Sequence, residues 1–125
     1  MTALHRRSEA PAKRLPPGLD IRFCIETEPP ELDFVLPGLL AGTVGGLIAA
    51  GGVGKSTLAL QAAIDIAVDV AGVDLLGLGV EKHGRVVILA GEDPDVALHH
   101  RIKRIASRLS PDAHEVLAEA LTIVP

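Results

Sequence analysis

An apolar run from Thr43 to Ala50 enters a glycine-rich turn, Gly51-Gly52-Val53-Gly54, and Lys55-Ser56-Thr57 then opens a long apolar stretch. Few local patterns constrain a chain so tightly. A strand must end, the backbone must reverse through residues tolerant of positive φ, and a helix must begin at once. Backbone N–H groups in such a turn point inward, and the helix N-terminus adds unpaired donors and the positive end of its dipole. The result is a cradle for phosphate groups. Its expected lining is Ala50, Gly51, Gly52, Val53, Gly54, Lys55, Ser56 and Thr57. Lys55 is placed to reach the β- and γ-phosphates, and Ser56 to hold Mg²⁺ through its hydroxyl. The usual spacing G-x-x-x-x-G-K-[ST] puts its first glycine where this chain has Ala49, so Gly51-Gly52 must supply the sharp turn.

The 125 residues suffice for one small domain. Phe23 and Phe34 are the only aromatics, so the core must be built from Leu, Ile, Val and Ala, and the usual platforms for stacking single-stranded bases are missing. A single cysteine, Cys24, excludes an internal disulfide and suits a reducing cytoplasm. Asp65 and Asp69 interrupt the longest apolar run, which argues against a membrane span, and no apolar segment follows Arg6-Arg7 as an export signal requires. Charge is uneven. Residues 1–22 hold five basic residues (Arg6, Arg7, Lys13, Arg14, Arg22) against Glu9 and Asp20, a net of +3. The whole chain carries −4, so the remainder carries −7. With Pro11, Pro16 and Pro17 nearby, residues 1–30 read as a disordered basic arm and connector, and residues 31–125 as the folded domain.

Along that domain, Leu32–Leu36 is a short strand or turn ended by Pro37-Gly38, and Thr43–Ala49 is the expected first core strand. A helix is expected from Lys55 to about Ala71. Its polar residues Thr57, Gln61, Asp65 and Asp69 form one narrow stripe, so most of its circumference needs covering by a partner surface or further chain. Arg85–Ala90 is a second buried strand. Asp93-Pro94 pairs an N-cap acceptor with a helix-starting proline, predicting a helix to about Leu109 with Leu98, Ile102, Ile105 and Leu109 as its core stripe. Arg101, Arg104 and Arg108 line another face, read as a solvated surface or as a contact for DNA or a neighbouring subunit. Ser110-Pro111 repeats the capping device for a helix to about Ala120, and Leu121–Val124 begins a third strand. This order implies an α/β fold, a parallel sheet with flanking helices, of which two or three strands are expected within these residues. The expectation is the first half of such a domain.

Hydrolysis of a nucleotide needs a carboxylate to orient the attacking water and usually another to hold Mg²⁺. Glu92 sits at the carboxyl end of the strand after the phosphate loop, the edge where α/β sheets bind ligands. It is the candidate general base, the alternative being an acid that favours a helix N-terminus. Asp93 as metal ligand is a weaker assignment, because Gly91-Glu92 separates it from the apolar run. His99-His100 lacks partners at ligand spacing.

Ala49 to Gln61 resembles the P-loop of RepA-type plasmid replicative helicases, which belong to the RecA/DnaB-like P-loop ATPases and carry an AAA-like ATPase domain. Gly91-Glu92-Asp93-Pro94, followed by His99-His100-Arg101, is similar to that family's Glu-Asp-Pro segment and helix. Pro37-Gly38 and Gly42-Thr43-Val44-Gly45 match the approach to its first strand. The likeness covers about residues 32–125. It implies a RecA-like fold and a hexameric, ATP-driven 5′–3′ DNA helicase of plasmid replication, with nucleotide bound between subunits. Lys55 and Ser56 then become phosphate and Mg²⁺ contacts, Glu92 the catalytic glutamate, and single-stranded DNA a partner. The family's Walker B aspartate, sensors, DNA loops and inter-subunit arginine fall beyond residue 125. Two other readings follow: a truncated, non-catalytic protomer that binds full-length subunits, and another RecA-like ATPase acting in recombination.

Overall fold

The computed structural model describes residues 17–125, so most of the basic arm lies outside the described residues. The chain divides at Glu31 into two units. In the first, Ile21–Glu26 forms a short helix, α1, where no element was expected. Local chemistry accounts for it. Asp20 caps the helix by accepting from the Phe23 amide at 3.1 Å, and the Thr27 hydroxyl donates back to the Phe23 carbonyl at 2.7 Å.

The second unit opens with a hairpin, β1 (Phe34–Leu36) against β2 (Leu39–Leu40), turned by Pro37-Gly38 as the sequence suggested. Gly38 takes φ of +85°, which explains glycine there. Helix α2 (Lys55–Ala67) is followed by β3 (Val86–Leu89), α3 (Asp95–Ala106), α4 (Pro111–Ala120) and β4 (Leu121–Val124). β3 and β4 pair in parallel, Val86 opposite Leu121 through Leu89 opposite Val124. That is the expected α/β arrangement, with α3 and α4 forming the connection between parallel strands.

Alternation along both strands sends Val86, Ile88, Leu121 and Ile123 toward one core. There they meet Leu60, Ile64, Ala67 and Val68 of α2 and its cap, Ile105 of α3, and Ala113 and Leu117 of α4. Thus α2 receives much of its cover from its own chain rather than from elsewhere. The stripe Leu98, Ile102, Ile105 and Leu109 does face inward. The opposite sheet face is bare: Val87 is 63% and Leu89 80% exposed, so β3 is covered on one face only, not on both.

Two further expectations are corrected. Thr43–Ala49 forms no strand; Val44 is 99% and Ile48 94% exposed. Apolar composition favours a strand only where a neighbour completes the ladder, and among the described residues β3 and β4 pair only with each other. Helix α2 stops at Ala67, with Val68 as its C-cap, rather than continuing to residue 71.

Asp65 is the other departure. Spacing put it on an outward polar stripe, yet it is 1% exposed. The segment after α2 folds back over it, and its carboxylate accepts from the Leu75 amide at 2.7 Å and the Leu76 amide at 3.1 Å. His83 Nδ1 lies 3.1 Å from the Asp65 carbonyl, tying in the start of β3's approach. Asp65 therefore anchors the long α2–β3 connection. Asp65→Ala strands two amides, and we expect a loss of about 3 kcal/mol in urea unfolding. A loss below about 1 kcal/mol would show that the connection holds without this anchor.

Candidate nucleotide site

The residues around the glycine turn form the expected loop even though no strand leads into it. Gly52 and Gly54 adopt φ of +76° and +93°, conformations that side chains with a Cβ rarely take. A Cβ at Gly51, Gly52 or Gly54 would meet no other atom within 4 Å, so the backbone here borders open space. Gly54 is the N-cap of α2, and no side chain caps that helix. The first N–H groups of α2 consequently keep their donors for an anion. Lys55 folds back across the turn, its Nζ donating to the Ala49 carbonyl at 2.6 Å and the Ala50 carbonyl at 2.8 Å. These two bonds hold the ammonium at the turn. Phosphate fits this donor set.

Burial of Leu60, Ala63 and Ile64 fixes α2 against the core. Its N-terminus consequently stands near the carboxyl end of β3. A cleft of about 380 Å³ lies between them, lined by Ser56 on α2, by Gly91, Glu92 and Asp93 after β3, and by Arg101 on α3. The sequence-derived residues Ser56 and Glu92 are thus brought to one cavity. A serine hydroxyl with nearby carboxylates is the hard oxygen set that Mg²⁺ takes, so this cavity fits the ion. Lys55 and Thr57 border a second cavity on the other flank of the turn, with Val53 and Gly54.

Asp93 departs from its expected role. Pro94 is the N-cap of α3, and Asp93 makes no cap bond to that helix. It accepts instead from Arg101 Nη1 at 2.5 Å, a pair whose side chains are 23% and 35% exposed. Such partial burial strengthens a charge-assisted bond relative to a fully solvated one. The pair clamps the turn that carries Glu92 onto α3. Sequence reading had placed Arg101 among three outward arginines and missed this. Asp93 precedes the helix and is eight residues from Arg101, so no i, i+4 spacing exposes the contact.

An α/β frame with an uncapped helix N-terminus behind a glycine turn is that of a P-loop-type nucleotide-binding domain. A protein-family model described as an AAA domain matches residues 7–124, and the chain belongs to that family. Membership makes it an AAA-type, P-loop ATPase-like domain, with the ATPase-type nucleotide binding of that class. Among the described residues, no helix is long and apolar enough to cross a membrane.

Proposed function

We propose that this chain binds Mg–ATP at Gly51–Thr57 and contributes the catalytic glutamate, Glu92, to ATP hydrolysis within a RecA-like helicase of the RepA type. The observation that carries the reading is the shared cleft of Ser56, at the start of α2, and Glu92, after β3. Lys55 and the loop amides, beside Ser56 on the neighbouring flank of the turn, bind the phosphates and stabilise charge that develops on them. Glu92 orients water for in-line attack and accepts its proton. Mg²⁺, held through Ser56, supplies neutralisation of the phosphate oxygens when bound.

The likeness of Ala49–Gln61 and Gly91–Arg101 to plasmid replicative helicases supports action on single-stranded DNA during plasmid replication, by a hexamer with nucleotide between subunits. A DNA-stimulated ATPase assay with a 5′–3′ strand-displacement assay tests this on the native protein. Hydrolysis that ignores DNA, with no displacement, would leave the ATPase and remove the helicase.

The Asp93–Arg101 clamp gives a separate expectation. Arg101→Ala frees the turn that aims Glu92, so turnover should fall on the order of a hundredfold, the effect of a misplaced catalytic group, while nucleotide affinity holds. Steady-state kinetics beside equilibrium binding separate the two; unchanged turnover would show that the clamp does not position Glu92.

A further inference from the structure

Two further cavities border α2, and Glu92 lines neither. One, of about 460 Å³, borders the glycine turn at Val53, Gly54 and Lys55. The other, of about 160 Å³, is a recess between α2 and α3 lined by Leu75, Arg104, Ile105 and Arg108. Thr57 and Gln61 line both. Thr57 and Gln61 thus stand between the two cavities on α2, the Lys55 ammonium bordering one and two guanidinium groups the other.

Those two guanidinium groups need an explanation. Arg104 and Arg108 lie four residues apart on one side of α3 and its extension, where like charges repel. Both side chains are exposed, and among the described residues neither has a carboxylate within 4 Å, nor do Lys55, Arg85 and Lys103, whereas Arg22, Lys82 and Arg101 each have one. Buried Ile105 fixes the helix between them, and Leu75, held by the Asp65 anchor, closes the recess. Gln61 adds an amide that can donate to an oxyanion. At about 160 Å³ the recess has room for a single tetrahedral anion rather than for a whole nucleotide.

We propose that Arg104 and Arg108, with Gln61, form a second phosphate site, separate from the glycine-loop cradle. Paired arginines suit a phosphate dianion because their planar donors engage its oxygens in fork geometry. The phosphate comes either free in solution or as a second phosphate on a nucleotide whose 5′ end occupies the cradle.

The test is calorimetric titration of the whole chain with inorganic phosphate, ADP and adenosine 3′-phosphate 5′-diphosphate. It uses wild type, Lys55→Ala, Arg104→Ala/Arg108→Ala and Arg104→Gln/Arg108→Gln, with circular dichroism confirming folding. Both double variants should lose at least tenfold in phosphate affinity while binding ADP as wild type does. Lys55→Ala should retain phosphate binding at the arginines. A nucleotide source predicts that the bisphosphate binds wild type at least tenfold tighter than ADP, an advantage lost in the double variants; a free-phosphate source predicts none. Phosphate binding unchanged in both double variants, or abolished by Lys55→Ala, overturns the proposal. So does a single-stranded oligodeoxynucleotide that loses affinity in the double variants when phosphate does not, since the recess would then belong to a polymer track. Failure of ADP to bind wild type would instead count against the cradle, and the phosphate titration would still decide the arginine site.

Discussion

Lys55→Ala should abolish measurable ATP hydrolysis, lowering turnover by about 10²–10³-fold and weakening nucleotide binding with it, because the mutation removes a fixed cation from the phosphate cradle. The structure indicates why no neighbour can substitute. Lys55 Nζ is held at the turn by the Ala49 and Ala50 carbonyls. Arg101, the basic residue that lines the cleft, is bonded to Asp93. Loss of the ammonium also leaves those two carbonyls without their donor, so some opening of the turn accompanies the loss of charge. Malachite-green phosphate release on wild type and variant measures the effect. Turnover in Lys55→Ala within about threefold of wild type would exclude a mechanism that depends on this cradle.

Glu92→Gln should separate binding from chemistry. Glutamine keeps the size of the side chain and its hydrogen bonding but cannot accept a proton, so hydrolysis should fall by about 10²–10⁴-fold. Affinity for Mg–ATP should stay within a few-fold, because Glu92 lines the cleft opposite the cradle rather than the cradle itself. This outcome differs from that of Lys55→Ala, where binding and turnover fall together. It also differs from the behaviour of a helix-terminal acid, whose neutralisation costs about 0.3–1 kcal/mol of stability and leaves rate constants unchanged. Single-turnover kinetics with saturating enzyme distinguish these outcomes, since product release does not enter.

The parts of the fold that were legible in the sequence are those specified by neighbouring residues. Gly51–Lys55 requires a turn feeding a helix, and the positive φ of Gly52 and Gly54 supplies it. Ser110-Pro111 starts α4, with the Ser110 hydroxyl accepting from the Ala113 amide at 3.3 Å. Val86–Leu89 and Leu121–Val124 are short apolar runs that find each other. What failed depended on distant partners. Thr43–Ala49 has a strand's composition, but a strand exists only through its ladder. Asp65 has the spacing of a surface residue; only the return of Leu75 and Leu76 buries it. Asp93-Pro94 has the form of a cap, but a half-buried guanidinium competes for the carboxylate and wins. The candidate site divides in the same way. The cradle was readable as a motif, the meeting of Ser56 and Glu92 was readable from topology, and the clamp behind Glu92 required coordinates.

The most direct test is to mix wild type, Glu92→Gln and Lys55→Ala with Mg–ATP, pass each through a desalting column, and identify the nucleotide that elutes with the protein. A P-loop ATPase that uses Glu92 for hydrolysis predicts ADP with wild type, intact ATP with Glu92→Gln, and no nucleotide with Lys55→Ala. The same nucleotide, in the same amount, on all three proteins would contradict it.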